Sequence, residues 1–341
     1  MRKSLLALLL LAATGLVQAQ VQLKEGHPER YTVVAGDTLW SISGKFLSQP
    51  WKWPEIWRAN PQVHDPDLIY PGDVLTLTYV DGQPRITLNR GESRGTIKLS
   101  PRVRSSPVAD AIPSIPLGAI NAFLLKNRII DTPQQFDRAP YIVAGNAERV
   151  LSGMGDRIYA RGVFDQQHTG YGIFRQGKTY IDPDTREVLG INADDIGGGE
   201  IVSSEGDIAT LQLQRSTQEV RLGDRLFVSE EHAINSTFMP SAPSMPIEGL
   251  ILDVPRGVTQ IGEYDVVTID RGKRDGLMDG NVLAIYKTGE HVRDRVSGDE
   301  VKIPDERAGE LMIFRTYEKL SYGLVLHATR SLAVLDKVRN P

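Results

Sequence analysis

The sequence predicts a small α+β module of strand, helix, helix and strand, followed by a mainly β region built as a sandwich or barrel. Three observations carry this. Between Arg30 and Thr78 an alternating strand pattern gives way to two helical ones and then returns. From Tyr141 onward, short apolar runs recur between Gly, Asp and Asn turns. A stretch rich in proline and serine, residues 101–118, separates the two regions.

In the N-terminal module, Tyr31 to Val34 alternates as a half-buried strand. Gly36, Asp37 and Thr38 stop it and open a helix with Asp37 or Thr38 as N-cap, because a short side-chain oxygen can accept from the free N–H groups of the first turn. Leu39, Ile42 and Phe46 then fall on one helical face. A second helix has Pro54 in its first turn, where a missing N–H costs nothing, turns Ile56 and Trp57 inward and ends near Asn60 and Pro61. Pro71, Gly72 and Asp73 make a turn, and Val74 to Thr78 closes the module. All four tryptophans lie here: Trp40, Trp51, Trp53 and Trp57. A module of this size without disulfides needs large apolar side chains, so they read as core, with Trp51 open between core and surface.

These residues, from Tyr31 and Val33 through Gly36 to Leu39, Ile42, Phe46, Ile56, Asn60 and Pro61 to Ile69 through Leu75, resemble a LysM module. The resemblance implies a βααβ fold and a ligand that is a glycan containing N-acetylglucosamine, peptidoglycan or chitin. It also implies a shallow groove between two loops, with Gly36, Asp37, Thr38 and Leu39 on one wall and Asn60, Pro61, Ile69, Tyr70 and Pro71 on the other. Loop N–H and C=O groups suit an acetamido group, and apolar side chains suit its methyl and the sugar faces. Two departures stand out: the Trp51, Lys52, Trp53 insertion between the helices, and residues 64–67, which lengthen the second loop.

The chain holds 341 residues, with 40% hydrophobic and 24% charged, ordinary globular material for two or three domains. Arg2 and Lys3 precede an apolar run from Leu5 to Leu11, and Val17 to Ala19 offers a small-x-small cleavage site, so residues 1–19 read as a signal peptide. No other stretch has the length of a transmembrane helix, and the mature chain is expected to be soluble and exported. There is no cysteine, which removes disulfides, thiolate metal sites, a lipid-attachment cysteine and cysteine-dependent wall peptidases together. The net charge is −4, with no basic block, against a nucleic-acid partner.

The expected organisation places the module at 29–80, an arm and linker with one short helix at 81–139, a first β-unit at 140–232, a linker at 233–249 and a second β-unit at 250–341. Arg85 to Leu88 and Thr96 to Leu99 read as a hairpin or extended arm. Ile120, Phe123, Leu124 and Asn127 suggest the helix, with Ser114 as cap. The first β-unit draws on Tyr141 to Ala144, Arg157 to Ala160, Tyr171 to Phe174, Thr210 to Leu213 and Arg225 to Val228. The second echoes the first: Tyr171 to Arg175 with Leu283 to Lys287, Gly199 to Ile201 with Gly309 to Leu311, and Gly223 to Leu226 with Leu335 to Val338. A duplication and shared hairpin chemistry both account for the echo.

The layout, a LysM module ahead of such a β region, is similar to the secretin-associated LysM proteins of type IV pilus systems, whose β-rich part is related to a domain of a flagellar outer-ring protein. What this implies is a periplasmic adaptor that fastens an oligomeric secretin to the cell wall, with a flagellar-ring-type structural protein as an alternative. The competing class is a LysM-targeted wall hydrolase. The six histidines show neither H-x-H nor H-E-x-x-H spacing, so a zinc peptidase lacks its ligands. A glycosidase needs only two carboxylates and stays open. Gly91, Ser93 and Gly95 match G-x-S-x-G, yet a strand-like segment follows where the nucleophile elbow needs a helix. Asp182 and Asp184 read as turn chemistry without the ligand set of a calcium loop, and Gly197 to Gly199 as a flexible turn without the Lys of a phosphate loop. Residues 271–280 read as turns with a small basic surface, and Asn235 as loop. The expectation is a non-enzyme with no cofactor and no metal.

Overall fold

The computed structural model describes residues 21–57, 69–89, 113–115, 120, 123, 127–145, 151–229, 238–255 and 260–341. The leader, Asn60 and Pro61, residues 64–67, the 91–95 motif, the strand expected at 96–99, Leu124, Asn235 and most of the proline and serine linker lie outside these. The chain divides into two units, Met1–Ile115 and Pro116–Pro341.

In the first unit β1 (Arg30–Thr32) pairs antiparallel with β2 (Val74–Val80), and α1 (Leu39–Phe46) and α2 (Trp53–Trp57) lie between them in sequence. Thr38 is the N-cap of α1, and its hydroxyl accepts from Ser41 N–H while Ser41 Oγ accepts from Thr38 N–H. That reciprocal box satisfies two donors the helix start leaves free. Leu39, Ile42 and Phe46 are buried with Trp53, Ile56, Trp57, Ile69 and Leu75 in one core. Pro50–Lys52 forms a 3₁₀ turn leading into α2, so the insertion extends the helical segment backwards. Burying aromatics of about 150–250 Å² each is how so short a segment stabilises a core, roughly 4–6 kcal/mol per ring before entropy.

The segment after β2 departs from expectation. Asp81 and Gly82 both have positive φ, 51° and 76°, the geometry a two-residue hairpin loop requires. Arg85 to Leu88 therefore folds back as part of β3 (Gln83–Asn89) onto β2, making a three-stranded sheet instead of a separate arm.

The second unit opens with β4 (Asn127–Ile130) and α3 (Pro133–Arg138), which the sequence reading did not include. Ile120 and Phe123 are helical, but Asn127 already begins a strand. Eight elements follow: β5 (Tyr141–Gly145), β6 (Leu151–Ser152), β7 (Arg157–Arg161), β8 (Gly170–Ile181), β9 (Val188–Glu205), β10 (Ile208–Ser216), β11 (Val220–Arg221) and β12 (Arg225–Val228). Strand β10 pairs with both β7 and β9, which closes the ring β5-β7-β10-β9-β8-β12, with β4 added on the far end of β9.

A second closed barrel runs β13 (Glu248–Asp253), β14 (Val266–Ile269), β19 (Ser321–Ala328), β18 (Glu306–Thr316), β15 (Val282–Lys287) and β20 (Lys337–Arg339), with the small hairpin β16 (His291–Arg293) and β17 (Glu300–Lys302) inserted after β15. Taken in sequence order, the six strands of each barrel occupy the same places round the ring. The register matches as well. Tyr171 faces Gly199 as Leu283 faces Leu311, Arg175 faces Asp194 as Lys287 faces Glu306, and Leu213 faces Gly199 as Val325 faces Leu311. The bulges fall at the same steps in both.

Two corrections follow. Gly197 to Gly199 is not a turn but the middle of β9. A Cβ on Gly197 would lie 2.4 Å from the Arg215 carbonyl oxygen of β10, so close strand approach, not flexibility, demands glycine there. Its counterpart is Gly309, whose Cβ would lie 2.5 Å from the His327 carbonyl oxygen. The sequence echo of Gly199 with Gly309 is thus two residues out of register, and Gly197 is the match.

Candidate functional site

The loops expected to wall the groove are two similar turns. In the first, Asp37 N–H donates to the Val34 carbonyl (3.2 Å), and Gly36 has φ +93°. In the second, Asp73 N–H donates to the Tyr70 carbonyl (3.0 Å), and Gly72, after Pro71, has φ +98°. Each aspartate carboxylate turns back on its own turn: Asp37 Oδ2 accepts from Val34 N–H and the Tyr31 hydroxyl, both at 2.9 Å, and Asp73 Oδ2 from Tyr70 N–H at 3.0 Å. Backbone bonds from Val33 N–H to Asp73 O (2.9 Å) and from Gly72 N–H to Val33 O (2.8 Å) tie the two turns together. Glycine at the third position is what such turns need, since φ is positive there.

Of the expected wall residues, Gly36, Asp37, Thr38 and Leu39 are contiguous on one side, and Tyr70 and Pro71 flank the second turn. Leu39 and Ile69 are buried in the core, so their side chains present no exposed sugar face. Asp37 and Thr38 are engaged in the turn and the cap. Burial, followed by the Asp37 carboxylate, pushes the Tyr31 hydroxyl above its ordinary pKa, so it stays a neutral donor at physiological pH.

One feature of the site has no signal in the local sequence. Leu39 N–H donates to the Pro113 carbonyl and Trp40 N–H to the Ser114 carbonyl, each at 3.1 Å. The Ser114 hydroxyl, expected as a helix cap, has no partner among the described residues. Its carbonyl and that of Pro113 occupy two donors at the start of α1, of which the Leu39 N–H belongs to the expected wall. Ser114 and Ile115 are both fully buried.

The tryptophans behave mostly as core. Trp40, Trp53 and Trp57 are buried and Trp51 is half-buried, with Lys52 Nζ 5.3 Å from the Trp51 ring centroid. The indole N–H groups of Trp51, Trp53 and Trp57 find no acceptor among the described residues.

Elsewhere the candidate chemistry resolves into structure. Asp182 Oδ1 accepts from Asp184 N–H and Thr185 N–H at 2.9 and 2.8 Å, a hairpin turn as expected. Arg274 is bound to Glu187 and Arg271 to Asp270, so both arginines at 271–280 are paired within the unit. His168 and His327 each pair with one carboxylate, Asp165 and Glu263, on exposed surface. No cluster of three or more His, Cys, Asp or Glu able to hold a metal occurs among the described residues. Nor is any described helix long and apolar enough to cross a membrane.

Residues 31–78 match the LysM domain family. The chain is also similar to an uncharacterized protein, YqbP, of Bacillus subtilis (strain 168), 52% identical over 33 residues that cover 10% of this chain and 15% of that protein. The chain thus carries a LysM domain, a carbohydrate-binding module, ahead of a mainly β region with a six-stranded barrel.

Proposed function

We propose that the protein is a non-catalytic adaptor of the bacterial envelope: its LysM domain holds peptidoglycan, and its paired barrels hold a protein assembly, the type IV pilus secretin. The observation that carries this is a LysM domain joined to two barrels in which the candidate clusters around Asp182 and Arg274 are engaged in a turn and an ion pair. The LysM domain supports peptidoglycan binding and an envelope location. Signal-directed export to the periplasm completes the reading.

The glycan contacts fall to Gly36, Asp37 and Thr38 on one side and to Asn60, Pro61, Tyr70 and Pro71 on the other, chiefly through backbone groups and apolar surface, with the buried Leu39 and Ile69 beneath them. Single modules of this kind bind weakly, and a ring presenting many copies converts weak contacts into firm attachment. That is the physical reason to pair one glycan module with an oligomeric partner.

The test has two arms. The purified chain, with and without residues 29–89, is sedimented with insoluble peptidoglycan; pelleting of the intact chain alone supports the reading, and equal pelleting of both sinks it. Cross-linking in intact envelopes then identifies the barrel partner. Recovery of secretin subunits supports the anchor, and flagellar subunits replace it with the flagellar alternative. A lysis zone on a wall-containing gel that one carboxylate substitution abolishes overturns the non-catalytic assignment.

A further inference from the structure

The β8–β9 hairpin of the first barrel and the β15–β18 hairpin of the second, extended by β16 and β17, are counterparts down to their tips. Asp182 N–H donates to Glu187 O and Arg186 N–H to Asp182 O; Asp294 N–H donates to Asp299 O and Gly298 N–H to Asp294 O. Their surroundings differ. The first hairpin lies on the second barrel: Lys178 Nζ and the Tyr180 hydroxyl reach Asp253 at 2.5 and 3.1 Å, and Glu187 is held by Arg274 and Lys319 at 2.8 and 2.6 Å. Tyr180 and Leu189 are 2% and 0% exposed there. Their counterparts on the second hairpin, Val292 and Val301, are 39% and 47% exposed, and Val296 at the tip is 97% exposed.

The receiving face repeats the contrast. On the second barrel Thr268, Leu320 and Tyr322 are fully buried beside the docked hairpin. At the same register positions the first barrel has Tyr159, Ile208 and Thr210, none of them buried, with Tyr159 37% exposed. The charges differ as well. Asp270 and Lys319 of the occupied face become Arg161 and Asp207 on the first barrel, where they pair with each other at 2.7 Å, while Lys178 and Glu187 of the docked hairpin become Glu290 and Asp299 on the free one.

From this we infer that the chain associates head to tail, the 288–305 hairpin of one copy docking on the β7–β10 face of the first barrel of another copy. The contact repeats, between molecules, the hairpin-on-face packing already made between the two barrels, with Val292, Val296 and Val301 against Tyr159 and Ile208 in place of its ion pairs. Two different faces that complement each other make a heterologous interface, which grows into a ring or an open file and does not stop at a two-fold dimer. The proposal is independent of which glycan or secretin the protein meets.

Analytical ultracentrifugation of the full chain across a concentration series tests it, with Val301→Glu on the hairpin and Tyr159→Glu on the receiving face. Both side chains are exposed, and circular dichroism checks that each variant stays folded. The native chain is expected to gain mass with concentration beyond the dimer. Each variant alone is expected to stay monomeric, whereas mixing the two gives a species of twice the monomer mass and nothing larger, since one intact hairpin and one intact face remain. A native chain that is monomeric throughout, or variants that associate as the native chain does, or a mixture that stays monomeric, overturns the inference.

Discussion

The two barrels share ring order, register, bulges and turn hydrogen bonds, yet they differ on their outer faces. In the first, Ile142 N–H donates to Asp224 O, and Arg221 N–H to the Asp224 carboxylate; in the second, Ile251 N–H donates to Asp336 O, and Ala333 N–H to the Asp336 carboxylate. Both aspartates also hold a neighbouring strand, Asp224 through Arg175 and Asp336 through Lys287. Outside, Phe314 and Tyr322 of the second barrel are covered and packed with Phe123, while Val202 and Thr210 stand at the equivalent places on the first and are not buried. Inward side chains and turn latches thus define the barrel, and the outward faces are free to diverge with what covers them.

The latch is where the comparison can be broken hardest. Asp224 is buried and accepts from Arg175 Nε and Nη2 at 2.9 and 2.8 Å, whereas Lys287 reaches Asp336 only at 3.6 Å. Asp224→Ala leaves a partly buried guanidinium without its partner and is expected to cost about 3 kcal/mol. Asp336→Ala loses mainly a turn bond and a longer ion pair, about 1–2 kcal/mol. Urea unfolding of the two variants measures both, and equal losses would show that the bidentate pair adds nothing.

The next test asks whether the strand approach is shared. Gly197→Ala and Gly309→Ala each press a methyl against a backbone carbonyl, at 2.4 and 2.5 Å, and are expected to destabilise similarly, by about 1–3 kcal/mol. A large effect in one barrel alone would separate them.

A smaller effect distinguishes the barrels by pH. Asp305, which follows the second barrel's free hairpin, is held at about 2 by Lys337 first, then by the Gly289 N–H and Arg339. Its folded pKa lies below the unfolded value of about 3.9, so its contribution is present above that value and is lost as pH falls towards about 2. The melting-temperature gap between the native chain and Asp305→Asn is therefore expected to be open at pH 7 and to narrow on acidification. A gap independent of pH would contradict the assignment.

The LysM unit offers the last comparison, between the start of α1 with residues 113–115 seated on it and the same donors without them. Ile115→Asp places a charge at a fully buried position and is expected to eject residues 113–115, freeing the Leu39 and Trp40 N–H groups. If glycan and linker compete, glycan affinity rises by up to about tenfold, the equivalent of one to two hydrogen bonds. Unchanged affinity in titration calorimetry would place the ligand elsewhere on the loops.

How far the sequence carried depended on whether the signal was local. The βααβ order, a helix cap at Asp37 or Thr38 and the strands from Tyr141 onward are written in period, caps and turn residues, and they were legible. Strand β9 was not, because Gly197 to Gly199 has turn composition, and its need for glycine comes from Arg215 and Gln212 on another strand. Strand β3 was read as part of a hairpin or extended arm and not as a partner of β2, because that pairing is fixed by the two positive φ values at Asp81 and Gly82, not by its own pattern. In the groove, the glycine and aspartate turns could be read, but the seat of Pro113 and Ser114 on α1 is a contact between segments far apart in the chain. The duplication surfaced as three short echoes, one of them misregistered, since conserved pairing leaves little trace once outward residues have changed.

The claim most central to the account is that the paired turns around Gly36 and Gly72 take an amino-sugar polymer, and NMR titration of the 15N-labelled chain with a soluble N-acetylglucosamine oligomer measures it directly. Saturable shifts confined to the amides of Gly36 to Leu39 and of Ile69, Tyr70 and Gly72 are the expected result. Shifts absent from both turns at saturating oligomer, or centred on the barrels, would contradict it.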